Sequence, residues 1–154
     1  MSFITGLAPN YIKVCQKILK HKDVILNGTV LAIDPASKDM GYCLAVKGEV
    51  VKNGVWKAVP SRGVSQRLAQ IGDIGRKEIR GEKVDLVLVE KVRTSTGNFM
   101  LVNSVGTAYD IANAKHAIEI PTYLWKKVID ADYYKDDAMD SLYMFKLALK
   151  VCTE

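Results

Sequence analysis

Apolar positions along this chain fall into continuous runs and into runs spaced three and four apart. The continuous ones are Thr29-Val30-Leu31-Ala32-Ile33, Gly41-Tyr42-Cys43-Leu44-Ala45-Val46 and Val84-Asp85-Leu86-Val87-Leu88-Val89. Runs of this length, rich in β-branched residues, predict strands. The third is apolar at nearly every position, the pattern of a central strand covered on both faces. A Lys47-Gly48 turn leads from the second run into residues 49–56, so 29–34, 41–46 and 49–56 predict a three-stranded antiparallel meander. A short strand is predicted at Ala117-Ile118-Glu119-Ile120, before Pro121.

The spaced runs predict helices. Tyr11, Val14, Cys15 and Ile18 share one face over 10–22, with Lys13, Lys17, Lys20 and Lys22 outside it. This basic amphipathic helix either packs on the domain or forms an accessory arm that contacts DNA or a second copy of the chain. Val64, Leu68, Ile71 and Ile79 stripe a helix over 62–80, although Gly72 and Gly75 each cost about 1 kcal/mol against alanine in a helix interior. Val102, Val105, Tyr109 and Ala112 stripe the next, with Gly106 and Ala108 beside them for close packing. A short helix is expected over 123–129, and Ala138, Leu142, Phe145 and Leu149 stripe the last one. The order βββαβαβα predicts an α/β fold, a mixed sheet with the meander antiparallel, the other strands parallel, and helices on both faces. Asn27-Gly28 separates an N-terminal extension, residues 1–28, from the domain at 29–154.

A length of 154 residues with 49% hydrophobic content suits one domain with a real core. Lys and Arg outnumber Asp and Glu by 22 to 17, a net charge of +5 that favours a polyanionic partner. Cys15, Cys43 and Cys152 have no C-x-x-C spacing and only His21 and His116 are present, which argues against structural zinc and for free thiols in a reducing compartment. With no run of 18 apolar residues, the expectation is a soluble cytoplasmic protein with no membrane partner.

The candidate chemistry lies in four carboxylates. Asp34 ends the first strand run, Glu90 follows the third, and Asp137 and Asp140 stand i, i+3 at the start of the last helix. Residues three apart share a helix flank, so the helix can lay its apolar face on the sheet and present both acids at the strand ends. Each acid also has a plain structural use: Asp34 before Pro35 in a turn, Glu90 at a strand end, and Asp136, Asp137 and Asp140 against a helix dipole. Their joint placement points to a metal site. Oxygen ligands alone select Mg²⁺ or Mn²⁺ over zinc. Two such ions about 4 Å apart can activate a water and stabilise the leaving oxygen of a phosphodiester. Lys126 and Lys127, beside Trp125, are candidates for neutralising phosphate charge or positioning that water.

Ile33-Asp34-Pro35-x-Ser37-x3-Gly41-Tyr42, Val87-Leu88-Val89-Glu90 and Asp137-Ala138-Met139-Asp140-Ser141-Leu142 resemble, in that order, the first, second and last motifs of RuvC-type Holliday junction resolvases, above all their short bacteriophage members. The resemblance covers about residues 29–150 and implies a ribonuclease-H-like fold. It implies that Asp34, Glu90, Asp137 and Asp140 are catalytic ligands of two Mg²⁺ ions, with Mn²⁺ able to substitute. Pro121-x3-Trp125-Lys126-Lys127 resembles the segment that supplies the active-site lysine. The implied activity is that of a crossover junction endodeoxyribonuclease, a homodimer that nicks opposed strands of a four-way or branched DNA junction symmetrically. A two-fold substrate suits a two-fold enzyme. The helix at about 98–115 is implied at the dimer interface, and Arg93 and Phe99 are candidates to enter the junction centre. Ala36 stands where the family usually has glycine, and a left-handed conformation there would cost alanine roughly 1–2 kcal/mol. The N-terminal extension has no counterpart in this pattern. Other readings are a related nuclease acting on RNA–DNA hybrid or ribosomal RNA, and a non-catalytic junction-binding module. The ATP-binding actin-like group needs two such domains, and this chain holds one.

Overall fold

The computed structural model describes residues 2–36, 38–91, 99–129 and 137–153. In it the meander forms as Thr29–Asp34 (β1), Asp39–Val46 (β2) and Glu49–Lys57 (β3). Lys47 and Gly48 both take positive φ, 54° and 78°, the pair of left-handed residues that a tight two-residue hairpin demands. Leu86–Glu90 (β4) pairs parallel with β1, and His116–Ile120 (β5) pairs parallel with β4, giving the order β3-β2-β1-β4-β5. The carboxyl ends of β1, β4 and β5 therefore meet at one end of the sheet.

Seven helices complete the described residues: Ser2–Thr5 (α1), Pro9–Lys20 (α2), Lys22–Asn27 (α3), Val64–Glu78 (α4), Phe99–Ala112 (α5), Thr122–Val128 (α6) and Asp137–Thr153 (α7). Alternate strand residues feed two cores, as a pleated strand requires. Val30, Ala32, Cys43, Ala45, Leu86, Leu88, Ile118 and Ile120 face the layer of α2, α3, α6 and α7. Leu31, Ile33, Tyr42, Leu44, Val87 and Val89 face the layer of α4 and α5. Burial on both sides is why these strands read as continuous apolar runs. Among the described residues, no helix is long and apolar enough to cross a membrane.

The N-terminal residues make three short helices where one was expected over 10–22. His21, with φ −107° and ψ 20°, ends α2, and α3 begins at once with Asp23 in its first turn. Cys15, Ile18 and Ile25 are fully buried in the same core as β1 and α7.

Two helix stripes are rotated from their predicted positions. In α5, Val102 is 48% exposed, while Ala108, Ile111 and Ala112 are buried. Residues 104–112 seat on α4 and the sheet, and Val102 belongs to the outward turn before them. In α7 the buried residues are Ser141, Tyr143, Met144, Phe145, Leu147, Ala148, Val151 and Cys152, with Leu142 and Leu149 only partly covered. That helix touches β1, β2 and β3 below and α2, α3 and α6 beside it, so its buried arc is wider than one stripe. Gly75 of α4 has a packing reason: a Cβ there would lie 2.8 Å from Ile111 Cδ1. The propensity cost is offset by close approach of α4 and α5.

All three cysteines are buried free thiols. Burial pushes the Cys43 thiol up to about 12, partly opposed by Lys146, and raises those of Cys15 and Cys152 as well. A raised pKa keeps the thiol protonated until pH passes it, and only the thiolate attacks electrophiles. Iodoacetamide at about pH 8 should therefore label none of the three in the native protein and all three after denaturation, as counted by intact mass. Native labelling of Cys43 would mean that the sheet face beneath α7 is open.

Candidate metal centre

Strand register brings the first two acids together. Ile33 pairs with Val89 in the parallel β1–β4 ladder, so Asp34 and Glu90, one residue further on, end neighbouring strands. Asp140 comes from the first turn of α7, which lies across β1 and β2. One carboxylate oxygen from each of Asp34, Glu90 and Asp140 lies within 4.8 Å of the others. Asp34 is only 9% exposed, Glu90 is half-buried and the Oδ1 atom of Asp140 is buried.

At this spacing two carboxylate charges repel by about 3 kcal/mol at an effective dielectric near 20. Folding forces them together because β1 and β4 are locked by the ladder and α7 by its apolar arc. A hard divalent cation relieves that repulsion. The donor set fits one: three carboxylates and no sulfur or imidazole.

The other predicted residues are distributed as follows. Asp137 opens α7, but its side chain lies outside the described residues, as do Ser37, Arg93 and the side chain of Phe99. Lys126 and Lys127 are exposed on α6, which starts two residues beyond Ile120, the residue in register with Glu90. The structure thus puts α6 at the carboxylate end of the sheet. The Lys126 Nζ lies 5.6 Å from the centre of the Trp125 ring and 5.8 Å from that of Tyr123. Trp125 itself is buried, 5.7 Å from the Tyr143 ring of α7.

Two residues of the first motif, Ala36 and Tyr42, have settings apart from the acids. Among the described residues the non-glycine positions with positive φ are Lys47 and Asn113, so Ala36 carries no left-handed cost. Tyr42 faces the α4 side, away from the acids. It stacks on Trp56 at 4.3 Å and donates a hydrogen bond of 2.9 Å to Glu78 Oε1. Burial first, and then the Glu78 bond and charge, push its hydroxyl up to about 12, so it stays a neutral donor.

Sequence reasoning missed Asn53. Its Nδ2 donates to the Tyr42 carbonyl at 2.9 Å and to the Ala138 carbonyl at 2.8 Å, tying the β2–β3 pair to the first turn of α7. Ala138 is two residues from Asp140, so this amide sets where that carboxylate enters the site. The one local signal was a polar residue on a strand face that meets a helix. Asn53-Gly54 reads equally well as a turn, and the partner is 85 residues away.

The five-stranded sheet has the shape of solved structures of known proteins. T. thermophilus RuvC in complex with a Holliday junction substrate matches with a TM-score of 0.55 at 14% identity, covering 80% of this chain and 92% of that one. A second Thermus thermophilus RuvC structure matches with a TM-score of 0.52 at 14% identity, covering 80% and 93%. No family model and no curated protein matches the chain. The likeness shows the fold: a RuvC-like, ribonuclease-H-like α/β architecture, as the motifs implied.

Proposed function

We propose that this chain, with its RuvC-like fold, is a metal-dependent, structure-selective endonuclease that resolves four-way DNA junctions by nicking two opposed strands symmetrically. The observation that carries the reading is the convergence of Asp34, Glu90 and Asp140 from three separate elements to within 4.8 Å. In this reading they hold Mg²⁺ or Mn²⁺, with Asp137 as a further ligand and two ions in the working site. Bound there, such ions supply Lewis-acid activation of water and charge stabilisation at the leaving 3′-oxygen.

The protein's own part is to hold three acids rigidly and to bring cationic groups to the phosphate. The ladder fixes Asp34 and Glu90, and Asn53 fixes the turn that carries Asp140. Lys126 and Lys127 take the role of phosphate-neutralising cations. Arg93 and Phe99 take the role of junction-centre contacts. The working form is a homodimer, with the outward turn of α5 around Val102 at its interface, so that two sites face a two-fold substrate.

The test is cleavage of a labelled synthetic four-way junction beside the matching linear duplex and an RNA–DNA hybrid, in Mg²⁺ and in Mn²⁺. Paired symmetric nicks in the junction alone are expected. Scission of the hybrid with an intact junction would move the assignment to RNA-containing substrates. Tight junction binding without scission in either metal would leave a binding module.

Asn53 offers a finer check. Asn53→Ala and the isosteric Asn53→Asp, which has no N–H to donate, are both expected to weaken Mn²⁺ binding by about 10- to 100-fold, the usual effect of losing a group that orients a ligand. Titration calorimetry reads this directly. Unchanged affinity in Asn53→Asp would mean that packing alone sets α7.

A further inference from the structure

We infer that α2 is a second nucleic-acid contact, a lysine face that grips the phosphate backbone of a duplex arm at a distance from the carboxylate site. The inference rests on the DNA reading above and adds where an arm lies.

The charge distribution is one-sided. No acidic residue precedes Asp23, and Lys13, Lys17 and Lys20 stand at i, i+4 and i+7 on α2. At 100° per residue they fall within an arc of about 60°, opposite the buried Cys15 and Ile18. All three are exposed, and none has an ion-pair partner among the described residues. From Lys13 to Lys20 is about 10 Å along the axis. One DNA strand presents a phosphate every 3.4 Å of duplex axis, so about three phosphates face three lysines.

The apolar side of the helix decides between polyanions. A basic amphipathic helix can lie on a membrane, but it does so by burying its apolar face in lipid. Here that face is used inside the protein, with Cys15 and Ile18 fully buried against α7 and the sheet. The apolar residues beside it, Tyr11, Ile12, Val14 and Leu19, are partly buried against the same core, and the fully exposed face is lysine, which suits a phosphate backbone.

Three contacts place this surface relative to the acids. The Lys150 Nζ of α7 lies 5.6 Å from the centre of the Phe3 ring in α1. Lys22 is close enough to Cys152 to lower its thiol pKa against the dominant effect of burial. The rings of His21 and His116 are 5.0 Å apart, and His116 starts β5 at the end away from Glu90. The N-terminal helices thus pack toward the last turns of α7. Asp140 and Lys150 are ten residues apart on that helix, about 15 Å, or some four to five base-pair steps. A duplex arm that leaves the site along α7 runs toward the N-terminal helices packed on its far end.

The experiment compares the full chain with the triple variant Lys13→Gln, Lys17→Gln, Lys20→Gln, and with the corresponding triple Arg variant. Affinity for a linear duplex and for a four-way junction is measured across a salt series. Each lysine that displaces one counterion contributes about 0.9 to the slope of log K against log salt, so the Gln variant should lose about 2 to 3 from the slope on both DNAs. The Arg variant should keep the slope. An unchanged slope in the Gln variant overturns the inference and leaves the nuclease reading standing. A reduced slope in a protein that cuts no junction supports the lysine face and removes that reading. Absence of DNA binding by the wild type, or lysine-dependent binding to anionic vesicles alone, overturns it outright.

Discussion

Asp34→Asn is expected to lower junction cleavage by about a thousandfold while leaving the protein folded. Asparagine keeps the shape of the side chain and removes the charge, so β1 and its ladder to β4 are untouched. A metal clamp at a scissile phosphate is worth several kcal/mol of transition-state stabilisation, and about 4 kcal/mol corresponds to a factor near 10³. The same variant separates chemistry from folding by a thermal measurement. If the acids hold a metal as proposed, Mn²⁺ at about 100 times its Kd should stabilise the wild-type native state by about 2.7 kcal/mol, because the unfolded chain no longer gathers the acids. For a chain of this size that raises Tm by roughly 5–10 °C. Asp34→Asn should lose most of that rise, and without metal it should melt no earlier than the wild type, since one member of a repelling trio has gone. Cleavage within tenfold of wild type would remove the carboxylates from the mechanism.

These acids were legible in the sequence because each stands at one end of a recognisable element, Asp34 and Glu90 at strand ends and Asp140 at a helix start. A strand that ends in Asp or Glu after four apolar residues announces both its length and its carboxyl end, and parallel pairing then makes neighbours of such ends. The meander was legible for the same reason, through Lys47-Gly48 and the runs around it. Other features depend on tertiary contacts that local pattern cannot carry. The α7 stripe was displaced because that helix is covered on several sides, so Met144, Ala148 and Val151 are as buried as Phe145. Gly75 of α4 reads as a helix breaker, yet Ile111 of α5 occupies the space its side chain would need. Asn53 was invisible because its value lies in a carbonyl on a helix far along the chain. The N-terminal residues divide similarly: the amphipathic face of α2 was readable, whereas α3 was not, with only six residues and one buried anchor, Ile25.

Trp125→Ala is expected to cost about 3–5 kcal/mol of stability, the range for truncating a large buried aromatic, against a total of roughly 5–15 kcal/mol for a domain. The side chain is 1% exposed and packs on Tyr143, so with the buried Leu124 it seats α6 on the core that α7 shares. Its loss acts twice. The cavity loosens α6 from the helix that carries Asp140, and the ring beneath the Lys126 ammonium disappears, removing a cation–π attraction worth about 0.5–1 kcal/mol at an exposed site. Urea unfolding should show the midpoint shift, and cleavage by the fraction still folded should fall as well, because a displaced α6 no longer offers its lysines at the carboxylate end of the sheet. Trp125→Phe keeps an apolar ring in the same place and should recover most of the stability and part of the activity. Loss of stability with full activity per folded molecule would show that α6 is a structural brace alone, and that the cation serving the phosphate lies elsewhere in the chain.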